Sequence, residues 1–312
     1  MKFKLLIATF LLSTTIFAQI KIEKDFTGVE KIDMTTGAGD CILKKSAGDK
    51  VTVVLEHNYD KDDYNPTIEM RGSTLKISER STRGYNDRAP KWTISVPDKL
   101  DIKISTGSGD LMVSNLDLEL SLSSGSGDVT FEELKGEMKI NTGSGDFTVN
   151  QLDGMVRVNT GSGTLKVKNA KGEVKLNAGS GDITLENVEG GIFANVGSGD
   201  IDVSNLIVTD ESGFNSGSGN VAVNLGSTPK ADLMANSGSG DAKIDFNGNK
   251  MVGELVMEAD KRRGEINAPF DFDSTEEIDQ GHNTKIVKTK KFDSSEIKIK
   301  IGTGSGKAAI SK

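Results

Sequence analysis

The chain has 312 residues, of which 5% are aromatic and 36 are glycine, and its formal net charge is −8. So few aromatics are poor material for a large globular core, whereas the glycine content suits many short strands joined by tight turns. The acidic balance speaks against a nucleic-acid partner, which requires clustered Lys and Arg, and a single cysteine, Cys41, excludes an intrachain disulfide.

Residues 1–18 read as a signal peptide. Lys2 and Lys4 precede an apolar run from Leu5 to Phe17, Ala18 offers a small residue for cleavage, and Gln19 is the expected mature start. The run is too short for a membrane span and no second long apolar segment follows. The expectation is an exported mature chain without a membrane span, in the periplasm or at the cell surface.

Residues 19–105 read as N-terminal coils. Val51, Val53 and Leu55 alternate with polar residues, as do Trp92, Ile94 and Val96, and then Ile102 and Ile104. Period two is the signature of a half-buried strand. A polar excursion at about 57–91 contains a strand pair near Thr67–Met70 and Thr74–Ser78, and is expected to shield one end of a stack. Cys41 sits where other repeats carry an apolar residue, and reads as a small buried hydrophobe.

Residues 106–246 carry the organising motif. Thr-Gly-Ser-Gly-Asp and its near copies occur eight times, with first glycines Gly107, Gly125, Gly143, Gly161, Gly179, Gly197, Gly217 and Gly238. The first six are spaced by 18 residues, and the last two steps are 20 and 21. Five apolar columns recur in each unit, represented by Phe147, Val149, Leu152, Val156 and Val158 in one of them. The residues between are mostly polar or charged. Burying five aliphatics cannot offset the entropy of ordering a unit of this length, so units must stack. A fixed period with parallel stacking predicts an all-β, single-stranded parallel β-helix (a β-solenoid) of about 18 residues per coil. The gaps of 2, 3, 4 and 2 between apolar columns do not suit the every-sixth-residue pattern of a hexapeptide helix. Gly-Ser-Gly supplies a sharp corner, beside which Asp or Thr can bond local backbone amides. Asn141, Asn159, Asn177 and Asn195 form one further column, and Asn115, Asn169, Asn187 and Asn205 another. Both read as structural ladders along the stack.

Residues 247–312 read as irregular C-terminal coils and cap of the same domain, with Ala308 to Ile310 as a final strand of the stack. An irregular, charged end stops strands from adding on.

Val96-Pro97, then Ile102-x-Ile104-x-Thr-Gly-Ser-Gly-Asp and the reiterated Gly-Ser-Gly-Asp-apolar-x-apolar units, resemble the bacterial putative-adhesin family of exported β-strand-repeat proteins. Gly264-Glu265-Ile266-Asn267 followed by Pro269-Phe270 is similar to that family's C-terminal segment. The resemblance spans nearly the whole mature chain. It implies a right-handed β-helix and brings no active-site motif with it.

Asp110, Asp128, Asp146, Asp182, Asp200 and Asp241 occupy equivalent places, with Asp40 in an outlying copy and Thr164 and Asn220 as substitutes. Stacked carboxylates repel, and calcium would relieve this. The phrase is close to the Gly-Gly-x-Gly-x-Asp calcium nonapeptide, but here Asp follows the second Gly directly and only one corner per coil carries it. The capping reading is therefore preferred, with the Asp column kept as a calcium ladder to test. A polysaccharide-active enzyme needs a convergent cluster of acids and a base. Arg157 is the only arginine of the regular coils, and Lys261-Arg262-Arg263 reads as a solvated loop cluster. His57 and His282 lie in unrelated segments, so a zinc site or histidine triad has little support. Gly302 to Lys307 departs from a phosphate loop at Ile301 and Ala308. No cofactor is expected. The reading is a non-catalytic, adhesin-like binding or scaffold protein whose partner is an unknown protein or glycan of the cell envelope. The alternative is an envelope-stress or regulatory component contacting a membrane partner.

Overall fold

The computed structural model describes residues 19–60, 62–81, 90–281 and 283–312. The leader read at 1–18 and His282 lie outside them. The described residues form 24 strands and no helix.

The first eight strands are β1 (Ile20–Phe26), β2 (Lys31–Ala38), β3 (Asp40–Lys45), β4 (Val51–His57), β5 (Tyr64–Arg71), β6 (Thr74–Ser81), β7 (Lys91–Val96) and β8 (Asp101–Ser108). The regular repeats give long strands that run round their bends: β9 (Leu111–Ser124), β10 (Val129–Ser144), β11 (Phe147–Ser162), β12 (Leu165–Ser180) and β13 (Ile183–Ser198). Shorter ones follow: β14 (Ile201–Val208), β15 (Ser212–Ser216), β16 (Val221–Leu225), β17 (Leu233–Ser237) and β18 (Ala242–Asp245). The last six are β19 (Glu254–Asp260), β20 (Glu265–Asn267), β21 (Ser274–Asp279), β22 (Thr284–Lys291), β23 (Lys298–Thr303) and β24 (Lys307–Ser311).

From β9 to β13 the strands pair in parallel with partners 18 positions apart, as Val129 with Phe147 and Val149 with Val167. The offset rises to 20 between β13 and β15 and to 21 between β15 and β17. All five apolar columns point inward: Phe147, Val149, Leu152, Val156 and Val158 are buried, as are their counterparts in neighbouring repeats. A sixth inward column, directly before the first glycine, escapes the sequence pattern because its members are mixed. Thr160, Ala178, Val196, Ser216 and Ser237 fill it, all buried.

Three bends turn each repeat. At the Gly-Ser-Gly corners from Gly109 to Gly199 the second glycine adopts positive φ, +130° at Gly163, and a Cβ there would lie 2.1 Å from the carbonyl oxygen of Gly145 one rung below. At the looser corner, Gly190 has φ +141° and leaves 1.8 Å to Gly172 O. Glycine is required at both places by backbone shape and by the closeness of the next rung. The third bend uses one non-glycine residue per rung in the left-handed region: Asn115, Glu133, Gln151, Asn169, Asn187 and Asn205, with φ from +52° to +71°. The Asn column of the sequence therefore continues through Glu133 and Gln151, residue types that hide it.

The ends are built out of chain order. β2 and β3 form a rung directly beneath β8 and the first part of β9. The excursion then returns to lay β6 and β7 beneath β2 and β3, with Leu75 and Ile77 opposite Ile32 and Met34, and Trp92 and Ile94 opposite Cys41 and Leu43. Antiparallel partners close this end: β5 on β6, β4 on β7 and β1 on β4. The opposite end uses the same device. β19 and β20 form the outermost rung, and β23 and β24 slot between it and the β17/β18 rung. Antiparallel β22 covers β19, and β21 covers β22. This corrects the expectation of a final strand at Ala308 to Ile310. β24 ends the chain but is an interior strand, paired to β18 on one edge and β20 on the other, because the 247–297 segment has already laid the terminal rung.

Candidate functional site

The Asp column caps backbone amides between rungs. The N–H of Asp128 donates to Asp110 Oδ1 at 2.9 Å, that of Asp146 to Asp128 at 2.8 Å and that of Thr164 to Asp146 at 2.8 Å. The series resumes above Thr164: Asp200 N–H to Asp182 at 2.9 Å, Asn220 N–H to Asp200 at 2.6 Å, Asp241 N–H to Asn220 at 3.0 Å, and Lys307 N–H to Asp241 at 2.8 Å. The first bond joins Asp110 N–H to Asp40 Oδ1 at 3.0 Å. The acids thus serve the amide one rung on, where the sequence suggested local amides. Asn220 does the same without charge. Among the described residues no group of three or more His, Cys, Asp or Glu side chains is arranged to hold a metal ion.

Threonine braces the corner locally. The hydroxyls of Thr106, Thr142 and Thr160 each donate to the carbonyl two residues on, at 2.8 Å. In the longer rungs Ser216 instead donates to Gly199 O at 2.8 Å and accepts the Gly219 N–H at 2.8 Å. Thr303 repeats this pattern, so the phrase Gly302 to Lys307 is one more stacked corner.

Two Asn ladders run along the stack. In the first, the Nδ2 of Asn159 donates to Asn141 Oδ1 at 3.0 Å, Asn177 to Asn159 at 3.0 Å, Asn195 to Asn177 at 3.0 Å, Asn215 to Asn195 at 2.9 Å and Asn236 to Asn215 at 3.2 Å. Every amide points the same way. The ladder stops at Gly302, which pairs with Asn236 and has no side chain, and leaves Asn236 Oδ1 buried without a hydrogen-bond partner. The second ladder lies on the left-handed bend: Asn187 to Asn169 at 3.1 Å and Asn205 to Asn187 at 2.8 Å. Below Asn169 the register partner is Gln151, and Asn169 bonds Asn150 at 3.3 Å in its place.

A shallow groove of about 570 Å³ runs beside the first ladder, across four rungs. Asn159, Asn177, Asn195 and Asn215 form one side, and Gly179, Gly197 and Gly217 the other. The groove exists because the column between them turns inward and the glycines carry no side chain. A second depression gathers Lys171, Glu173, Lys175, Glu189, Asp210 and Glu211 around Phe193. Phe193 is half-buried, with its Cδ1 3.4 Å from where a Cβ of Gly213, its register partner, would sit. Lys175 Nζ is 5.7 Å from the ring centroid. The aromatic ring here covers a glycine on the neighbouring strand.

The remaining sequence candidates are dispersed. Arg157 is exposed on β11, in register with Lys139 and Lys175. Arg262 and Arg263 turn their backbone N–H groups onto Asp260 Oδ1 at 2.9 and 3.0 Å, and Lys261 pairs with Glu277 at 2.7 Å. His57 is buried against Tyr64, with ring centroids 4.7 Å apart; burial lowers its pKa, and Glu79 opposes the shift. Glu79 itself accepts the N–H of Gly37 at 2.8 Å and the hydroxyl of Tyr64 at 2.5 Å, supplying the first corner with the acceptor that higher corners draw from the rung below. Sequence reasoning missed Glu79, which follows the Leu75/Ile77 alternation of β6 but is a charged residue where that alternation would place an apolar one.

Fold and faces together define an all-β repeat protein built of stacked parallel rungs. The chain belongs to the Toastrack DUF4097 family, whose profile matches residues 29–261. No curated protein matches it. Similar solved structures include a putative cell adhesion protein from Clostridium sporogenes, 15% identical, covering 94% of this chain and 99% of its own, with a TM-score of 0.29. A putative adhesin from Bacteroides fragilis is 14% identical over 94% of this chain and 98% of its own, with a TM-score of 0.40. A putative lipid binding protein from Parabacteroides distasonis is 15% identical over 94% and 97%, with a TM-score of 0.42.

Proposed function

We propose that this chain is an exported, non-catalytic binding or scaffold protein of the cell envelope, built as a right-handed β-solenoid of about 18 residues per coil. The observation that carries the reading is the Asn141-to-Asn236 ladder. Its amides are held in one orientation by hydrogen bonds 2.9–3.2 Å long, so a partner meets polar groups already ordered. Binding to a fixed array avoids the entropy of ordering loose side chains. The periplasm or the cell surface is the proposed location, and a protein or glycan of the envelope the partner. A pull-down from envelope extracts with the mature chain, from residue 19 on, tests the reading. It predicts capture of a discrete glycan or protein, and empty beads contradict it. Protease added to whole cells separates the two locations, since a surface chain is degraded and a periplasmic one is spared.

A further inference from the structure

We infer that the groove beside the first Asn ladder takes a neutral, extended β-linked glycan lying along the stack axis. The inference rests on the binding reading above and assigns it a face and a ligand class.

Three observations favour this ligand. The first is charge. In a chain with 27% charged residues, none of the residues lining this groove is charged. Four other depressions, around Phe193, Leu134, Leu118 and Met251, each carry charged groups. A site without countercharge gives no advantage to an acidic polymer over water. The second is what the amides retain. An Asn side chain has two N–H donors and two acceptor lone pairs. The ladder uses one of each, and Asn159, Asn177 and Asn195 are exposed. Each rung therefore offers one free N–H and one free lone pair side by side, which suits a pair of neighbouring sugar hydroxyls. The third is period. Rungs repeat about every 4.8 Å. An extended β-1,4-linked glycan advances by a similar distance per sugar, and its two-fold screw turns the same edge to the groove on every second sugar, so like hydroxyl pairs meet every second amide. An extended peptide advances about 3.3 Å per residue and falls out of step.

The test uses the mature chain with chitohexaose and cellohexaose as neutral probes and a β-1,4-linked mannuronate hexamer as the acidic one, followed by calorimetry. Asn195→Asp places a charge in the groove. Asn187→Asp breaks an equivalent hydrogen bond in the other ladder, away from it, and controls for loss of structure. A neutral hexamer is expected to bind the native chain and Asn187→Asp alike, and Asn195→Asp at least about tenfold more weakly. On the native chain, the side-chain amide NMR signals of Asn159, Asn177 and Asn195 should shift on titration while those of Asn169, Asn187 and Asn205 stay. This reading stands even if a variant fails to fold. Equal binding by Asn195→Asp and the native chain, or shifts confined to the second ladder, would overturn the groove assignment. Capture of only the acidic hexamer or of a protein overturns the neutral-glycan class and leaves the binding reading intact. Silence from every probe together with an empty pull-down removes both.

Discussion

Asp128 Oδ1 accepts the backbone N–H of Asp146, one rung on, at 2.8 Å. Two effects compete at this position. The charge strengthens the hydrogen bond, but carboxylates one rung apart repel by roughly 1 kcal/mol in water. Asn220 shows that a neutral carboxamide serves the same bond. Asp128→Asn is therefore expected to melt within about 0.5 kcal/mol of the native chain, and Asp128→Ala to lose about 1 kcal/mol relative to Asn. Chelator is expected to leave the melting temperature and the circular dichroism unchanged. A drop with chelator would restore the calcium ladder of Asp110, Asp128, Asp146, Asp182, Asp200 and Asp241.

Gln151 holds φ +71° in a column that Asn otherwise favours. Left-handed backbone costs most L-residues about 1–2 kcal/mol, and Asn less. Gln151→Asn also places an amide in register below Asn169, which now reaches sideways to Asn150. The substitution is expected to stabilise by about 0.5–1 kcal/mol, measured by urea unfolding. A destabilised variant would show that this bend does not work as described.

Asp293 couples the C-terminal cap to pH. It accepts the N–H of Gly253 at 2.9 Å and that of Ser295 at 3.0 Å, and these bonds, with Lys250 adding to them against burial, bring its pKa from 3.8 to about 2. Its contribution is complete above the ordinary carboxylate range and fades as pH falls through about 2. The melting temperature of Asp293→Ala should lie below that of the native chain by a constant amount above pH 5. The gap should narrow as the pH is taken from 4 to 2. A gap independent of pH would contradict the assignment.

Cys41 lies in the core, in register with Trp92 and Leu111. Burial, with Asp40 beside it, pushes its thiol up to about 12. Iodoacetamide at pH 8 is expected to leave the folded chain unlabelled and to modify Cys41 once urea unfolds it. Rapid labelling of the native protein would place this strand elsewhere.

Much of the architecture was legible because 18-residue spacing repeats the same side-chain type at the same place. Phe147, Val149 and Val156 announce inward columns, and Asn159 and Asn177 announce a ladder. What stayed hidden has a physical cause in each case. Thr160, Ala178 and Val196 share an inward position that tolerates hydroxyl and methyl groups alike, so no single residue type marks it. Glu133 and Gln151 are held in left-handed backbone by their neighbours' register against their own preference. The order of rungs at the two ends left no trace either. Leu75 and Ile77 carry the alternation of any rung, and nothing in it says that they stack under Ile32 and Met34. The groove was illegible for a related reason: it is made by side chains that turn away from it.

Rung order in the stack can be measured as a distance. Thr130, Thr148, Lys166, Thr184, Asp202, Ala222 and Lys243 form one column of register partners. Spin labels on cysteines introduced at Thr130 and Asp202 span four rungs, and at Thr130 and Lys243 six. Pulsed electron resonance should report separations of about 19 and about 29 Å, in proportion to rung number at roughly 4.8 Å per rung. Distances that do not grow in that proportion would contradict the stack on which the ladders, the groove and the proposed function all depend.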